Sequence, residues 1–158
     1  MKPDLVIMAA YWSLYDTHKV TEDPHPWDDL DVAQLAATVH ELRNVVKSRV
    51  TLVGHLPTFD VEQPKMLKRG LFATGVEDRT YRNFSPTVRA RNAAIRTIAN
   101  NEHVGFVDPL SVLCNGAGCL ISLSRERGIP LAFDYGQFDT IGSDYFVARL
   151  FAQGLLRI

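Results

Sequence analysis

Asp4-Leu-Val-Ile-Met-Ala-Ala10 is an unbroken apolar run of strand length behind Pro3, and such runs belong to strands covered on both faces. The pattern predicts a central strand. The loop that follows, Tyr11–Asp29, contains Asp23-Pro-His-Pro-Trp27, where two prolines remove backbone donors and exclude a helix. From Asp31 onward, apolar residues recur at Leu35, Val39, Leu42 and Val46, the period of an amphipathic helix, with Asp29 or Asp31 as its N-cap. Ser48-Arg-Val-Thr-Leu-Val-Gly54 then reads as a second buried strand, and Gly54-His-Leu-Pro57 as the loop at its carboxyl end. Strand, helix and strand make one βαβ unit.

The alternation continues. A short helix is expected after Pro64, then an irregular stretch to Ser85. Ser85-Pro86 supplies an N-cap and a first-turn proline for a helix reaching Asn100. His103-Val-Gly-Phe-Val107 reads as a third strand, ended by Asp108-Pro109. Ile121-Ser-Leu and Leu131-Ala-Phe133, joined through Arg125-Glu-Arg-Gly128, read as a hairpin, and Thr140 to Leu156 as a helix with Ile141, Tyr145, Ala148 and Phe151 on its apolar side. The expected fold is α/β and three-layered, flavodoxin-like, with a central and mainly parallel sheet whose carboxyl-end loops face a ligand.

The 158 residues, 46% hydrophobic and 22% charged, have the balance of a single globular domain spanning 1–158. Folding a chain of this length buries roughly 68–70% of the unfolded surface, so no metal is needed to hold it together. No run approaches the ~18 apolar residues of a membrane span, and the first residues turn polar too soon for a signal peptide. Expressed as it stands, the chain is expected in the cytoplasm. The net charge of −1 conceals a basic middle: residues 65–96 carry 8 basic and 2 acidic groups, against 5 and 10 before them and 4 and 6 after. This reads as a solvated helix face or as a patch for an anionic partner. Without interleaved aromatic residues nucleic acid is not expected.

The loops at strand carboxyl ends contain Tyr11, Trp12, His55, Asp108, Asp134 and Gln137. In Asp134-Tyr-Gly-Gln137-Phe-Asp-Thr-Ile-Gly142 an acid precedes a second polar group by three residues at a strand-to-helix turn; this reads either as a plain turn or as two side chains placed toward one cleft. His55 is either a polar loop histidine or a ligand contact. Asp23, His25, Asp28, Asp29 and Asp31 read as an acidic surface loop rather than a cation site. Gly116-Ala-Gly118 is not a dinucleotide fingerprint, because Ile121 stands at the third glycine position. Neither cofactor nor metal is expected.

Pro3 through Trp12 with Tyr15, Val53-Gly-His-Leu-Pro57 leading to Pro64, Val107-Asp-Pro109, Leu113-Cys114 with Cys119, and Pro130-Leu-Ala-Phe-Asp134 through Gly142 occur in an order that resembles the SGNH domain (SGNH/GDSL hydrolase-like) at the carboxyl end of acyltransferase 3 family membrane proteins. The resemblance implies transfer of an acyl group, usually acetyl, to a hydroxyl of a cell-surface polysaccharide such as the O-antigen of lipopolysaccharide, through a Ser-His-Asp triad. It implies a carbohydrate acceptor and an acyl donor as partners, a membrane-embedded acyltransferase domain in the parent protein, and a place on the periplasmic side of the cytoplasmic membrane. Family members carry a cysteine pair placed like Cys114 and Cys119, so a disulfide is implied for an exported chain. It would close about six residues and stabilise by about 2 kcal/mol. Zinc is not expected, since no further ligands complete a set of four.

Two departures from the family pattern matter. The family's Gly-Asp-Ser block, which supplies the nucleophile on the first strand, occurs nowhere in the sequence. The domain is therefore expected to lack that strand, leaving an apolar flank exposed or covered by a second copy in a homodimer. The family's terminal pattern is Asp followed three residues later by His. Asp134 matches the Asp, while Gln137 stands where the His belongs and Asp139 where a hydroxyl residue belongs. A hydroxyl nucleophile needs a base that titrates near neutral pH, and an amide cannot serve. The resemblance thus implies an O-acyltransferase domain that is catalytically silent as written. Asp134 and Gln137 mark its acid and base positions, and Tyr11, Trp12 and His55 line its cleft. The alternative is a non-catalytic glycan-binding or scaffolding module in which Trp12 or Tyr135 stacks on a sugar. A flavodoxin-like small-molecule binder is disfavoured by the lack of a phosphate-binding loop.

Overall fold

The computed structural model describes residues 3–10, 12, 31–69, 78–124 and 126–156. In chain order its elements are β1 (Leu5–Met8), α1 (Val32–Val45), β2 (Arg49–Val53), α2 (Gln63–Arg69), β3 (Arg79–Thr80), α3 (Thr87–Asn101), β4 (Gly105–Val107), α4 (Pro109–Leu113), β5 (Cys114–Asn115), β6 (Gly118–Leu120), β7 (Ser122–Ser124), β8 (Ile129–Pro130) and α5 (Thr140–Ala152). They divide into two compact units, one drawn from Met1–His55 and Arg89–Asp108, the other from Leu56–Val88 and Pro109–Arg157.

The first unit holds a parallel sheet in the order β1-β2-β4, with Leu5 opposite Arg49, Met8 opposite Leu52 and Val53 opposite Val107. The α/β class with a parallel sheet is as the alternation implies, but the middle place belongs to β2 and not to the run at 4–10. Val50, Leu52 and Val53 are buried, whereas Ile7 of β1 is 46% exposed. An apolar run identifies a strand without ranking it within the sheet. Asp31 is the N-cap of α1, its Oδ1 accepting from the Gln34 N–H at 2.8 Å. Of the four periodic positions, Leu35 and Val39 are buried. They meet Ile95, Ile98 and Ala99 of α3 together with Leu52 and Trp12, forming one apolar core. Each fully buried side chain of this size contributes about 1.5–3 kcal/mol over exposure.

The second unit is built from small antiparallel pieces. β3, β6 and β5 form one sheet and β7 and β8 another, around a core of Phe59, Met66, Val88, Leu110, Cys119 and Ile121. The expected hairpin is present, but its return strand is Ile129–Pro130, two residues earlier than the Leu131–Phe133 reading. Gly128, at φ +63°, makes the turn. At the other hairpin Gly118 adopts φ +137°, and a Cβ there would strike the Thr80 backbone, so close pairing of β3 with β6 requires glycine.

The last helix begins where expected, with Asp139 as N-cap accepting from the Gly142 N–H at 2.8 Å. Its buried face differs from the periodic one. Gly142, Phe146 and Leu150 face inward, while Ile141 and Phe151 are 54% and 45% exposed. The reason is Gly142: a Cβ at this position would land on the Leu131 carbonyl oxygen. Backbone contact at the glycine fixes the rotation of α5, and the apolar residues on either side follow.

Candidate functional site

In the first unit the carboxyl ends of β2 and β4 lead into His55 and Asp108, and the Gly54 N–H donates to the Val107 carbonyl at 2.9 Å. Asn92 of α3, 2% exposed, ties the two ends together. Its Oδ1 accepts from the His55 N–H at 2.5 Å, and its Nδ2 donates to the His55 carbonyl at 3.1 Å and to Asp108 Oδ1 at 3.2 Å. Asp108 Oδ2 takes a charge-assisted bond from Arg96 Nη2 at 2.5 Å. His55 is 1% exposed, so this loop histidine is a buried group. Trp12 is fully buried and its Nε1 donates to the Val53 carbonyl at 2.8 Å; it anchors the strand below the loop. Tyr11 lies outside the described residues. A groove of about 530 Å³ between α1 and α3, lined among others by Ala33, Ala36, Ala94 and Ile98, holds none of the expected site residues.

The second unit carries the Asp134 turn. Asp134 Oδ1 accepts from the Gly136 N–H at 2.9 Å and the Gln137 N–H at 2.7 Å, the Asx arrangement that replaces a backbone turn. The Phe133 N–H donates to the Gln137 carbonyl at 3.0 Å, closing the loop. The segment before and within α2 holds it from outside: Phe59 N–H donates to the Tyr135 carbonyl and Gln63 N–H to the Asp134 carbonyl, each at 2.9 Å. Gln63 Oε1 also accepts from the Ala132 N–H at 2.9 Å. Gly136 rests on the Pro57 carbonyl, where a Cβ would come within 2.8 Å. Gln137 is exposed. The turn thus carries the exposed Gln137 three residues after a carboxylate whose Oδ1 accepts two N–H groups; an amide side chain can orient a hydroxyl but cannot take its proton.

Cys114 and Cys119 are disulfide-bonded, as directly opposed residues of the β5–β6 hairpin. Among the described residues no three metal-ligating side chains gather, and no helix is long and apolar enough to cross a membrane.

Asn92 and Gln63 have no place in the sequence reading. Asn92 shares the stripe of Val88, Ile95 and Ala99 on α3, all fully buried, and a polar residue on an apolar stripe is the signal that finds it. Gln63 sits at the head of a seven-residue helix, too short to establish a period.

A family described as "SGNH domain (fused to AT3 domains)" matches residues 1–136. The chain belongs to the SGNH domain family. The match includes Asp134 and ends at residue 136. Among solved structures this SGNH domain is similar to the "Salmonella ser. Paratyphi A lipopolysaccharide acetyltransferase periplasmic domain", with a TM-score of 0.74 and 17% identity. The likeness covers 98% of this chain and 57% of that one, so the SGNH domain described here spans little more than half of its neighbour. No curated protein matches.

Proposed function

We infer that the chain is part of an SGNH-type acyltransferase domain whose parent protein transfers an acyl group, acetyl above all, to a hydroxyl of a cell-surface polysaccharide on the periplasmic side of the cytoplasmic membrane. The family match across 1–136 carries this reading, and the fold of the lipopolysaccharide acetyltransferase domain supports it. A membrane-embedded acyltransferase domain would supply the acyl group.

The 158 residues do not perform the reaction by themselves on this reading. A serine attacking an acyl donor needs a base to take its proton, and Gln137 offers an amide in that place. Loss of a triad's nucleophile or base removes about 10⁴–10⁶ in turnover. On this reading no serine of these residues inherits the nucleophile's role, since no Gly-Asp-Ser occurs in them. The test is hydrolysis of p-nitrophenyl acetate by the purified chain: the expected result is turnover no higher than that of free imidazole at the same histidine concentration, and turnover at the rate of an intact esterase would overturn the silent assignment.

Gln137 also favours a second reading, a glycan-binding module that keeps the fold without the chemistry. Tyr135 is the half-buried aromatic residue on the same turn. Loss of oligosaccharide binding on Tyr135→Ala, with the unfolding midpoint unchanged, would support it; absence of binding to any polysaccharide fraction would exclude it.

A further inference from the structure

We propose that Gln63 is a positioning residue for the Asp134–Gln137 turn, setting its geometry through a side-chain carbonyl that accepts from the Ala132 N–H. Its functional meaning rests on the reading of Asp134 and Gln137 as the acid and base positions.

Gln63 opens α2, so its backbone N–H has no partner within the helix. It donates instead to the Asp134 carbonyl at 2.9 Å. The side chain of the same residue then reaches the loop again, Oε1 accepting from the Ala132 N–H at 2.9 Å. Gln63 thus meets the bend at 132–134 twice, with a backbone donor on Asp134 and a side-chain acceptor on Ala132. The assignment of the amide is fixed by chemistry, because only its oxygen can accept from an N–H.

The burial of this amide shows which end matters. Gln63 is fully buried, and its Nε2 has no hydrogen-bond partner among the described residues. An apolar side chain of the same volume would avoid the desolvation of that NH₂ group. What the amide alone supplies here is the carbonyl oxygen on Ala132. Holding Ala132 and Asp134 fixes the bend from which the Asp134 carboxylate turns back to Gly136 and Gln137.

The test compares Gln63→Leu, which keeps bulk and removes the acceptor, with Gln63→Glu, which keeps an oxygen facing Ala132. Both leave the backbone bond to Asp134 intact. The readout is amide hydrogen exchange at Gly136 and Gln137, taken relative to the Leu52 amide of the other unit. Gln63→Leu should raise exchange at both amides by about tenfold, the loss of one hydrogen bond, and Gln63→Glu should return most of the protection. Should Gln63→Leu fail to fold, Gln63→Asn, which withdraws the oxygen by one methylene, is expected to raise exchange in the same way. Unchanged exchange in the acceptor-deficient variant, or equal loss with Leu and Glu, would reduce Gln63 to a core filler and overturn the proposal. Neither result depends on acyl transfer, so failure of the functional reading would show separately, as ester turnover by the wild-type chain.

Discussion

Asn92 grips His55 by both of its backbone groups, accepting from the N–H at 2.5 Å and donating to the carbonyl at 3.1 Å. A single buried amide thereby does for the loop after β2 what a strand would do. Asn92→Ala removes both of these bonds and one donor to Asp108. The expected cost is about 2–4 kcal/mol, from three lost hydrogen bonds at about 0.5–1.5 kcal/mol each, read as a fall in the urea midpoint with the slope unchanged. A loss under about 0.5 kcal/mol would mean that water replaces the amide without cost.

Trp12 is a residue of the core, and its substitution should register as stability. Trp12→Ala is expected to cost about 3–5 kcal/mol. Trp12→Phe keeps most of the packing but leaves the Val53 carbonyl without its indole donor, for a smaller loss of about 1–3 kcal/mol. Denaturant unfolding of the two variants checks both the size and the order of the effects.

Gly142→Ala should be among the most disruptive small changes on α5, since the added methyl meets the Leu131 carbonyl oxygen. Overpacking of this kind costs about 1–3 kcal/mol or more. Ser143→Ala, one residue along on the exposed side, should stay within about 0.5 kcal/mol of the parent. Thermal unfolding of the pair separates a seat for the helix from a mere preference for alanine in helices.

Gln137→His restores the family's imidazole to the turn without restoring a nucleophile. Ester hydrolysis by this variant is expected to rise by no more than one free imidazole contributes, because a base with no hydroxyl to deprotonate has no serine to activate. Turnover well above that of an equal concentration of free imidazole would reveal a nucleophile within the chain and refute the assignment.

Much of the fold is legible in the sequence, and the parts that are not share a cause. The helix 32–45 announces itself through its spacing and through its cap Asp31, and the helix 87–101 follows directly on the Ser85-Pro86 signal, though the Ser85 hydroxyl pairs with that of Thr87. The hairpin at 122–130 is legible as a hairpin, yet its return strand is Ile129–Pro130, with Ser122 opposite Pro130 and the ladder ending in the bond from the Leu131 N–H to the Ile121 carbonyl; beyond it the chain bends, a change no local signal contains. The rotation of α5 is decided by Gly142 against Leu131, whereas its periodic face at Ile141, Tyr145, Ala148 and Phe151 follows composition alone. The Asp134 turn is visible from its own residues. The amides that brace such loops, Gln63 and Asn92, are 69 and 37 positions from the residues they hold, and separations of that size are invisible to a window of sequence.

The disulfide joins directly opposed residues of β5 and β6, and β6 in turn pairs with β3, Thr80 lying opposite Cys119. Sliding β5 against β6 by one residue would turn each side chain to the other face, and the covalent link forbids that slide. One bond between two sulfurs is therefore an alignment pin for the hairpin and a fixed template for the third strand. Reduction should show less as unfolding than as loss of a unique alignment, with several registers sampled where the oxidised chain holds one.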